Sequence, residues 1–368
     1  MFLERLELTD FRNYVAFDRV FERNRVILLG DNAQGKTNLL EAIGALATAA
    51  SPFAAREADL VRWGQAQAIV RSVVRKEAGQ VGVDLLFRPA GRRAVKVNGL
   101  HQKRIADLLG TVSAVVFSRE DLELVSGAPA LRRGYLDWLL LQLQPVYHEE
   151  LQRYARVLAQ RNHALRAISD GRSAISALDL WDPALAGTGA SLHRRRGAAI
   201  EALAPLARGW HARIAGSEED LAIAYGPGVA GPDWEEALRA ALADSRAREI
   251  GRGQTLVGPH RDDLAIALDG REAKAFSSTG QKRTIALALK LAELDLLRRT
   301  TGEAPILLLD DVLAELDVTR QNRLLEAIGT DTQTFVTSTH LSDFSADWIA
   351  QAEIYEVRAG RIDRAEVG

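Results

Sequence analysis

The octet Gly30-Asp-Asn-Ala-Gln-Gly-Lys-Thr37 limits the fold of this chain more than any other stretch of its sequence. An apolar run, Val26–Leu29, precedes it and predicts a buried strand, and the segment Asn38–Ile43 follows it with the apolar spacing of a helix. Glycines at both ends of such a loop let backbone N–H groups turn inward, where the start of the helix adds partial positive charge. The octet therefore predicts a phosphate-binding loop, rather than a glycine-rich turn with a chance Lys-Thr pair.

The polar residues of this loop have expected roles in binding ATP. Lys36 would contact the β- and γ-phosphates, and the hydroxyl of Thr37 would bind Mg²⁺. The expected nucleotide-binding residues of the loop are Gly30, Asp31, Asn32, Ala33, Gln34, Gly35, Lys36, Thr37 and Asn38. Transporters, switches, motors and kinases all have such a loop, so the loop alone predicts a ligand and not a function.

An acidic pair far along the chain is typical of the second half of the same site. The apolar run Ile306–Leu309 predicts another buried strand, and it ends in Asp310-Asp311. Asp310 would hold Mg²⁺, and Asp311 would orient or deprotonate the attacking water. Because 274 residues separate Lys36 from Asp310, we expect a large insertion between the two halves of one nucleotide site.

A third segment resembles the signature motif of ABC ATPases. Ser278-Thr-Gly-Gln281 stands at the start of a predicted helix that continues to Leu297. A Ser hydroxyl and a helix N-terminus form an anion-binding end. Ser278, Gly280 and Gln281 would contact the γ-phosphate held by a second copy of the chain. The alternative is an ordinary helix cap at Ser277 or Ser278.

Two further residues follow the acidic pair in the order that ABC ATPases have. Asp317, in Ala314-Glu-Leu-Asp317, matches the position of the D-loop. His340 follows a β-branched strand, and it resembles the switch histidine that contacts the γ-phosphate. The expected catalytic residues are thus Lys36, Asp311 and His340. Since one protomer's signature would cap the ATP of the other, this arrangement predicts an ATP-dependent homodimer that separates on hydrolysis.

Composition excludes several classes of protein. The net charge of −2 excludes a uniformly basic nucleic-acid coat, so a DNA site would have to be a local patch. The absence of cysteine excludes disulfides and thiolate chemistry. The N-terminus does not have the pattern of a signal peptide, and no stretch approaches the ~18 apolar residues of a membrane span. We therefore expect a cytoplasmic protein without a membrane partner.

Taken together, these segments resemble the RecF family of bacterial repair ATPases, which is related to SMC and Rad50 heads. The resemblance covers nearly the whole chain. It is carried by the loop and the acidic pair, and also by the segments Leu3–Tyr14, Glu120–Asp137 and Gly253–Leu264. One departure is Arg119, where the family usually has proline.

The resemblance implies a fold and a domain organisation. The fold would be an α/β ABC-type ATPase head with mixed sheets flanked by helices. Residues 1–118 and 253–368 would form this head. Residues 119–252 would form an inserted, mostly α-helical domain with a short arm.

The resemblance also implies a function and its partners. The protein would bind double-stranded and gapped DNA in an ATP-dependent manner, and it would help RecO and RecR load RecA in recombinational repair. It would support replication restart and the SOS response. The activity would be a weak, DNA-stimulated ATPase, slow because Asp311 replaces the glutamate of transporters. Arg12 and Asn13 are candidates for contacts with adenine.

The insertion has a helical pattern and many arginines. Apolar residues recur at heptad-like spacings from Tyr147 to Ile168 and predict a short arm. Gly171, the segment 181–189 and the segment 225–233 are expected to interrupt the helices. Two interpretations of the insertion's arginines remain open: they form a phosphate-binding surface, or they form a solvated face without a ligand. These arginines are 153, 156, 161, 166, 172 and 194–196. Arg132 and Arg133 are candidates for a junction with the ATP-binding lobe. The sequence His260-Arg-Asp-Asp263 favours a structural or interface role over a metal site.

Two alternatives stay open from the sequence. One is the nucleotide-binding subunit of an ABC transporter, although the long separation of loop and signature disfavours it. The other is a nucleotide-gated clamp in which hydrolysis is incidental.

Overall fold

A computed structural model describes residues 1–53, 56–90, 93–215 and 219–365. The described residues form two compact units. The first comprises the described residues within 1–123, 210–215 and 283–365, and the second comprises those within 124–209 and 219–282. Residues 253–282, which the sequence analysis placed in the head, thus pack within the second unit. The functional boundaries at 118/119 and 252/253 stay a prediction.

The strands and helices of the described residues follow in chain order. The strands are β1 (Phe2–Phe11), β2 (Tyr14–Val20), β3 (Arg25–Leu29), β4 (Ala68–Lys76), β5 (Gly79–Phe87), β6 (Ala94–Val97), β7 (Leu100–His101), β8 (Ala114–Phe117), β9 (Leu221–Gly226), β10 (Asp263–Leu268), β11 (Arg271–Glu272), β12 (Ile306–Leu309), β13 (Thr334–Ser338), β14 (Ala352–Arg358) and β15 (Arg361–Arg364). The helices are α1 (Lys36–Thr48), α2 (Pro129–Leu143), α3 (Val146–Ser169), α4 (Leu178–Ala215), α5 (Trp234–Arg252), α6 (Ala273–Phe276), α7 (Thr279–Thr301), α8 (Val318–Ala327) and α9 (Ala346–Ala350).

Two six-stranded sheets form the framework of the first unit. One is antiparallel, in the order β2-β1-β4-β5-β6-β7. Its strands alternate buried and exposed residues because one face packs into the core. The side chain of Gln333 links this sheet to the segment before β13, since its amide exchanges hydrogen bonds of 2.6 and 3.1 Å with the backbone of Leu3.

The second sheet, in the order β15-β14-β3-β13-β12-β8, places the nucleotide-binding segments. All neighbours except β14 and β15 pair in parallel. Parallel strands end at the same edge of a sheet, and ligands of open α/β sheets bind at that edge. The predicted loop follows β3, the acidic pair follows β12, and His340 follows β13. This topology confirms the predicted α/β fold with mixed sheets flanked by helices.

The second unit contains α2, α3, α5, most of α4 and the small antiparallel sheet β11-β10-β9. Helix α3 covers the predicted heptad segment, and the chain turns at Gly171, whose φ of 71° lies in the left-handed region. The segment 225–233 also interrupts the helices as predicted, since it comprises the last two residues of β9 and the residues that precede α5.

The predicted interruption at residues 181–189 is wrong, because α4 continues through it with Pro183 inside the helix. Gly189 instead serves close packing. A Cβ there would lie 3.0 Å from Leu238, 3.3 Å from Pro259 and 3.4 Å from Tyr154. Tertiary packing against α3 and α5 therefore outweighs the local preference of proline and glycine to end a helix.

Candidate nucleotide-binding site

The loop between β3 and α1 has a backbone that requires its two glycines. Gly30 has φ 154° and Gly35 has φ 117°. A Cβ on Gly30 would lie 2.4 Å from the carbonyl oxygen of Val357, and one on Gly35 would lie 2.6 Å from the amide of Asn13. Both positions thus combine positive φ with close approach, which only glycine tolerates. Gly35 directly precedes the first turn of α1, where backbone N–H groups have no intrahelical partner.

Lys36 lies folded over its own loop. Its ammonium donates to the carbonyl oxygen of Gly30 at 2.5 Å and to that of Asp31 at 3.2 Å. The side chain is buried, so these carbonyls compensate part of the cost of removing the charge from water. A triphosphate in the loop would offer this ammonium stronger, charged acceptors.

The two halves of the predicted site meet at Thr37 and Asp310. The Thr37 hydroxyl lies 2.9 and 3.0 Å from the two carboxylate oxygens of Asp310, although 273 positions separate them. Thr337 donates a further hydrogen bond of 2.9 Å to Asp310. Burial raises the pKa of Asp310 and the charge of Asp311 adds to this, whereas the bonds from Thr37 and Thr337 oppose it.

This cluster of oxygen atoms suits Mg²⁺, which binds through one or two protein oxygens together with substrate phosphates. The described residues contain no group of three or more His, Asp or Glu placed to hold a metal ion on their own. A cation at Thr37 and Asp310 would therefore depend on the nucleotide for its other ligands.

Asp311 and His340 lie at the same sheet edge and are more accessible. Asp311 is half-buried, and its φ of 51° is unusual for a residue other than glycine. Its N–H donates to the Thr337 hydroxyl at 2.8 Å, which fixes the turn after β12. His340 is exposed, and its N–H donates to the Ser338 hydroxyl at 3.1 Å.

Arg12 and Asn13, the candidates for adenine contacts, brace the loop. Arg12 donates twice to the buried Glu41 of α1, at 2.6 and 2.8 Å. Asn13 donates to the carbonyl oxygen of Gln34 at 2.9 Å and accepts from the amide of Asn38 at 2.8 Å. This bracing role was not predicted, and contact with adenine stays a prediction.

The predicted signature residues lie at the start of α7, within the second unit. The Ser278 hydroxyl accepts from the N–H of Gln281 at 3.2 Å, and the Gln281 side chain accepts from the N–H of Ser278 at 2.7 Å. This reciprocal pair is a capping box. Ser278 is exposed and Gly280 is half-buried. The predicted helix cap is thus confirmed. Contact of these residues with the γ-phosphate of ATP bound by a second copy stays a prediction.

The comparisons with known proteins agree with these motifs. The model of the RecF/RecN/SMC N terminal domain matches residues 2–362. The DNA replication and repair protein RecF of Synechococcus sp. (strain JA-2-3B'a(2-13)) is 45% identical over 378 residues, which cover 100% of this chain and 99% of that protein. RecF of Gloeobacter violaceus is also 45% identical, over 98% of both chains. The chain belongs to the RecF family.

Solved structures extend this assignment to the whole fold. The structure of the recombination mediator protein RecF-ATPrS in the RecFOR pathway is 33% identical, with a TM-score of 0.91 over 99% of this chain and 98% of that one. The corresponding RecF-ATP structure is 32% identical, with a TM-score of 0.90. An Smc head bound to a domain of ScpA is only 17% identical, with a TM-score of 0.56, and shows a shared fold alone.

The D-loop segment is held by ionic contacts that the sequence analysis did not predict. Glu315 pairs with Arg283 of α7 at 2.8 Å and also with Arg119. Arg119, where the sequence analysis predicted a departure from the family pattern, therefore contacts the predicted D-loop segment. Asp317 caps α8 by accepting from the N–H of Arg320 at 2.9 Å. This hydrogen bond lowers the pKa of Asp317.

Several arginines of the insertion are unavailable for DNA. Arg161 is fully buried and pairs with Asp182 at 2.7 Å and Glu249 at 2.6 Å. Arg196 is buried beside Asp137 at 2.8 Å. The arginines of this set that remain exposed are 153, 156, 166, 172 and 194. A phosphate-binding surface in this RecF-family chain would have to use these.

The segment after α5 has a structural role in the second unit. Asp262 is buried, where it accepts from the N–H of Gly228 at 3.1 Å and from the hydroxyl of Tyr225. Asp263 pairs with Arg132 at 2.6 and 2.8 Å, and Arg133 donates to the carbonyl oxygen of Asp262 at 2.8 Å. These contacts hold β10 to α2.

In the described part of the chain, none of the helices combines the length and apolarity required to span a bilayer.

Proposed function

We propose that this protein is an ATP-dependent DNA-binding protein of recombinational repair. The observation that carries the proposal is the contact of Thr37 with Asp310, which joins a phosphate-binding loop to an acidic strand end. Full-length similarity to proteins named RecF supports the assignment to DNA replication and repair.

In the proposed mechanism the loop residues 30–38 bind the phosphates of ATP, and Lys36 exchanges its carbonyl partners for phosphate oxygens. Thr37 and Asp310 would hold Mg²⁺, which would neutralise charge on the phosphates. Asp311 positions the attacking water and accepts its proton, and His340 contacts the γ-phosphate. Because Asp311 is shorter than glutamate, turnover is slow, and hydrolysis acts as a timer.

Two copies of the chain share each ATP in this proposal. Ser278, Gly280 and Gln281 of one copy, with the N-terminus of α7, cap the γ-phosphate bound by the other. The exposed position of Ser278 supports this role. Asp317 lies at the same interface. Loss of the γ-phosphate removes the link, and the dimer separates.

The dimer binds double-stranded and gapped DNA, and DNA stimulates its weak ATPase activity. Similarity to RecF structures from the RecFOR pathway supports RecO and RecR as partners in loading RecA. The protein works in the cytoplasm, in replication restart and the SOS response. A clamp with incidental hydrolysis is the second candidate, and the half-exposed position of Asp311 is compatible with it.

Sedimentation velocity with and without ATP and a gapped duplex tests this proposal. We expect a monomer alone, a dimer with ATP, and a dimer–DNA complex with both. A chain that stays monomeric at saturating ATP, with or without gapped DNA, would contradict the dimer. Equal DNA affinity with ATP, ADP and no nucleotide would contradict ATP-dependent binding.

A further inference from the structure

The turn between β14 and β15 lies against the phosphate-binding loop. The N–H of Gly360 donates to the carbonyl oxygen of Gln34 at 2.9 Å, and the N–H of Ala359 donates to the side-chain oxygen of Gln34 at 2.7 Å. These bonds join positions more than 320 residues apart, within the first unit. The turn thus contacts the loop one residue before Gly35.

The conformation of the turn makes this contact specific. Arg358 and Arg361 pair across the hairpin, and the two residues between them have φ values of 47° and 76°. Two successive positive φ values are typical of the tight type I′ turn. A Cβ on Gly360 would lie 2.5 Å from the carbonyl oxygen of Asn13. Position 360 therefore requires glycine both for its φ and for the approach to Asn13.

A second contact lies at the other end of the loop. The carbonyl oxygen of Val357, near the end of β14, lies 2.4 Å from where a Cβ of Gly30 would be. Strand β14 pairs in parallel with β3, and Glu356 is opposite Leu29. The loop and the hairpin therefore belong to the same sheet. The hairpin contacts the loop at Gly30 and at Gln34, the residue before Gly35.

These contacts fix the direction of one peptide group. The carbonyl oxygen of Gln34 accepts from both the Gly360 N–H and the Asn13 amide, at 2.9 Å each. In a planar trans peptide the N–H of the next residue points opposite to the carbonyl. Holding this carbonyl toward the hairpin therefore aims the N–H of Gly35 away from it, as a loop that binds phosphate through backbone N–H groups requires.

We infer that the β14–β15 turn is a positioning element of the nucleotide site. Ala359 and Gly360 act through Gln34, and they hold the Gln34–Gly35 peptide in the orientation that binds phosphate before ATP arrives. The inference rests on the proposed ATP site, which it extends to a hairpin near the C-terminal end of the described chain.

The test compares two glycine variants with the same backbone strain. Gly302, which follows α7 in the same unit, has φ 78°, and nothing lies within 4 Å of its hypothetical Cβ. Gly302→Ala therefore reports the cost of positive φ alone, whereas Gly360→Ala adds the clash with Asn13. We expect Gly360→Ala to bind ATP and ADP about tenfold more weakly than Gly302→Ala, and its clash should also lower the melting temperature of the chain without nucleotide, so affinity is compared at a temperature where both variants are folded.

Equal affinities of the two variants would overturn the inference, while wild-type binding would still support the ATP site. If the wild-type chain does not bind ATP, the proposed function fails and the inference fails with it. Should Gly360→Ala not fold, Gln34→Ala replaces it. It removes the side-chain acceptor of the Ala359 N–H and leaves the backbone N–H groups of the loop in place, and unchanged affinity in it would count against the turn.

Hydrogen exchange gives a second readout that a purely structural turn would not change. If the turn and ATP favour the same loop conformation, saturating ATP should slow exchange of the Ala359 and Gly360 amides in the wild type. The same peptides of Lys36→Ala should show no change at an ATP concentration that saturates only the wild type, because that variant binds ATP at least about 100-fold more weakly. If the wild-type chain binds ATP but the exchange rates of these two amides stay the same, the coupling between the turn and the loop is refuted.

Discussion

The loop after β3 and the start of α7 are both predicted to bind phosphate, yet they are built in different ways. Around the loop, Thr37, Asp310 and Thr337 hold one another through side-chain hydrogen bonds across the sheet edge. At the start of α7, Ser278 and Gln281 hold each other, and the Gln281 amide also donates to Glu219 at 2.7 Å. The loop is held by side chains from two other strand ends, whereas the start of α7 is held by a local cap and one more distant carboxylate.

The charged groups of the two regions also differ. Two carboxylates, Asp310 and Asp311, lie with Lys36 near the loop, which is compatible with the proposed cation beside the nucleotide. The first turn of α7 contains no acidic residue, and its helix end carries partial positive charge. The proposal that two copies share each ATP uses this difference, and the predictions below test it.

The largest effect is expected at the loop. Lys36→Ala removes the only charge of the octet that would face the triphosphate, so we expect ATP affinity to fall at least about 100-fold, or ~2.7 kcal/mol. Dimerisation should be lost with it. Titration calorimetry and sedimentation measure both effects, and the exposed Lys103→Ala is the control. A Lys36→Ala chain that still dimerises with ATP would show that the two regions are not linked through nucleotide.

The second prediction separates hydrolysis from binding. Asp311→Asn keeps the size of the side chain and tolerates positive φ, but it cannot accept a proton. We expect turnover to fall ~10²–10⁴-fold with ATP affinity nearly unchanged, and the ATP-bound dimer should persist. Steady-state phosphate release and sedimentation measure this. Unchanged DNA release with ATP in this variant would favour the clamp with incidental hydrolysis.

Much of the fold could be predicted because its signals are local. The apolar runs before the octet and before Asp310 predicted the buried strands β3 and β12, and parallel pairing then placed their polar ends at one edge. The segment 181–189 shows the limit of local signals. Its proline and glycines read as a break, but Gly189 provides the space in which α3 and α5 pack against α4.

The site could be predicted where residue type alone carries the chemistry, as at Lys36 and Thr37. The contacts of Asn13, Gly360 and Glu315 could not, because they depend on which distant segments the fold brings together. Arg161 illustrates the same point. It lies on the apolar stripe of the heptad-like segment that it interrupts, and the tertiary structure supplies the buried partners of its charge, Asp182 and Glu249.

The third prediction concerns the start of α7. Ser278→Arg places a bulky side chain in the space where a second copy would bring its triphosphate, so we expect ATP binding within about twofold of wild type and no ATP-dependent dimer. Ser278→Ala is the comparison variant, since it removes the hydroxyl without adding bulk. It costs the cap, ~1 kcal/mol, and should weaken the dimer without abolishing it, because the N-terminus of α7 remains. Persistence of the ATP-bound dimer in Ser278→Arg would remove the shared-site proposal.

The smallest effect is expected inside α7, where Glu293 is fully buried 2.7 Å from Lys290, which also lies 3.8 Å from Asp121. Burial raises the pKa of Glu293 to about 7. The folded chain therefore keeps a proton that the unfolded chain releases near pH 4.5. The stability that this proton provides is present in acid and is lost as the pH rises through 7.

Glu293→Gln cannot ionise. Between pH 5 and pH 8 we expect the unfolding free energy of the wild type to fall by ~1–3 kcal/mol more than that of Glu293→Gln, measured by urea denaturation. Parallel pH profiles of the two proteins would show that Lys290 keeps Glu293 ionised, so that α7 is anchored by an ion pair instead of a neutral carboxyl.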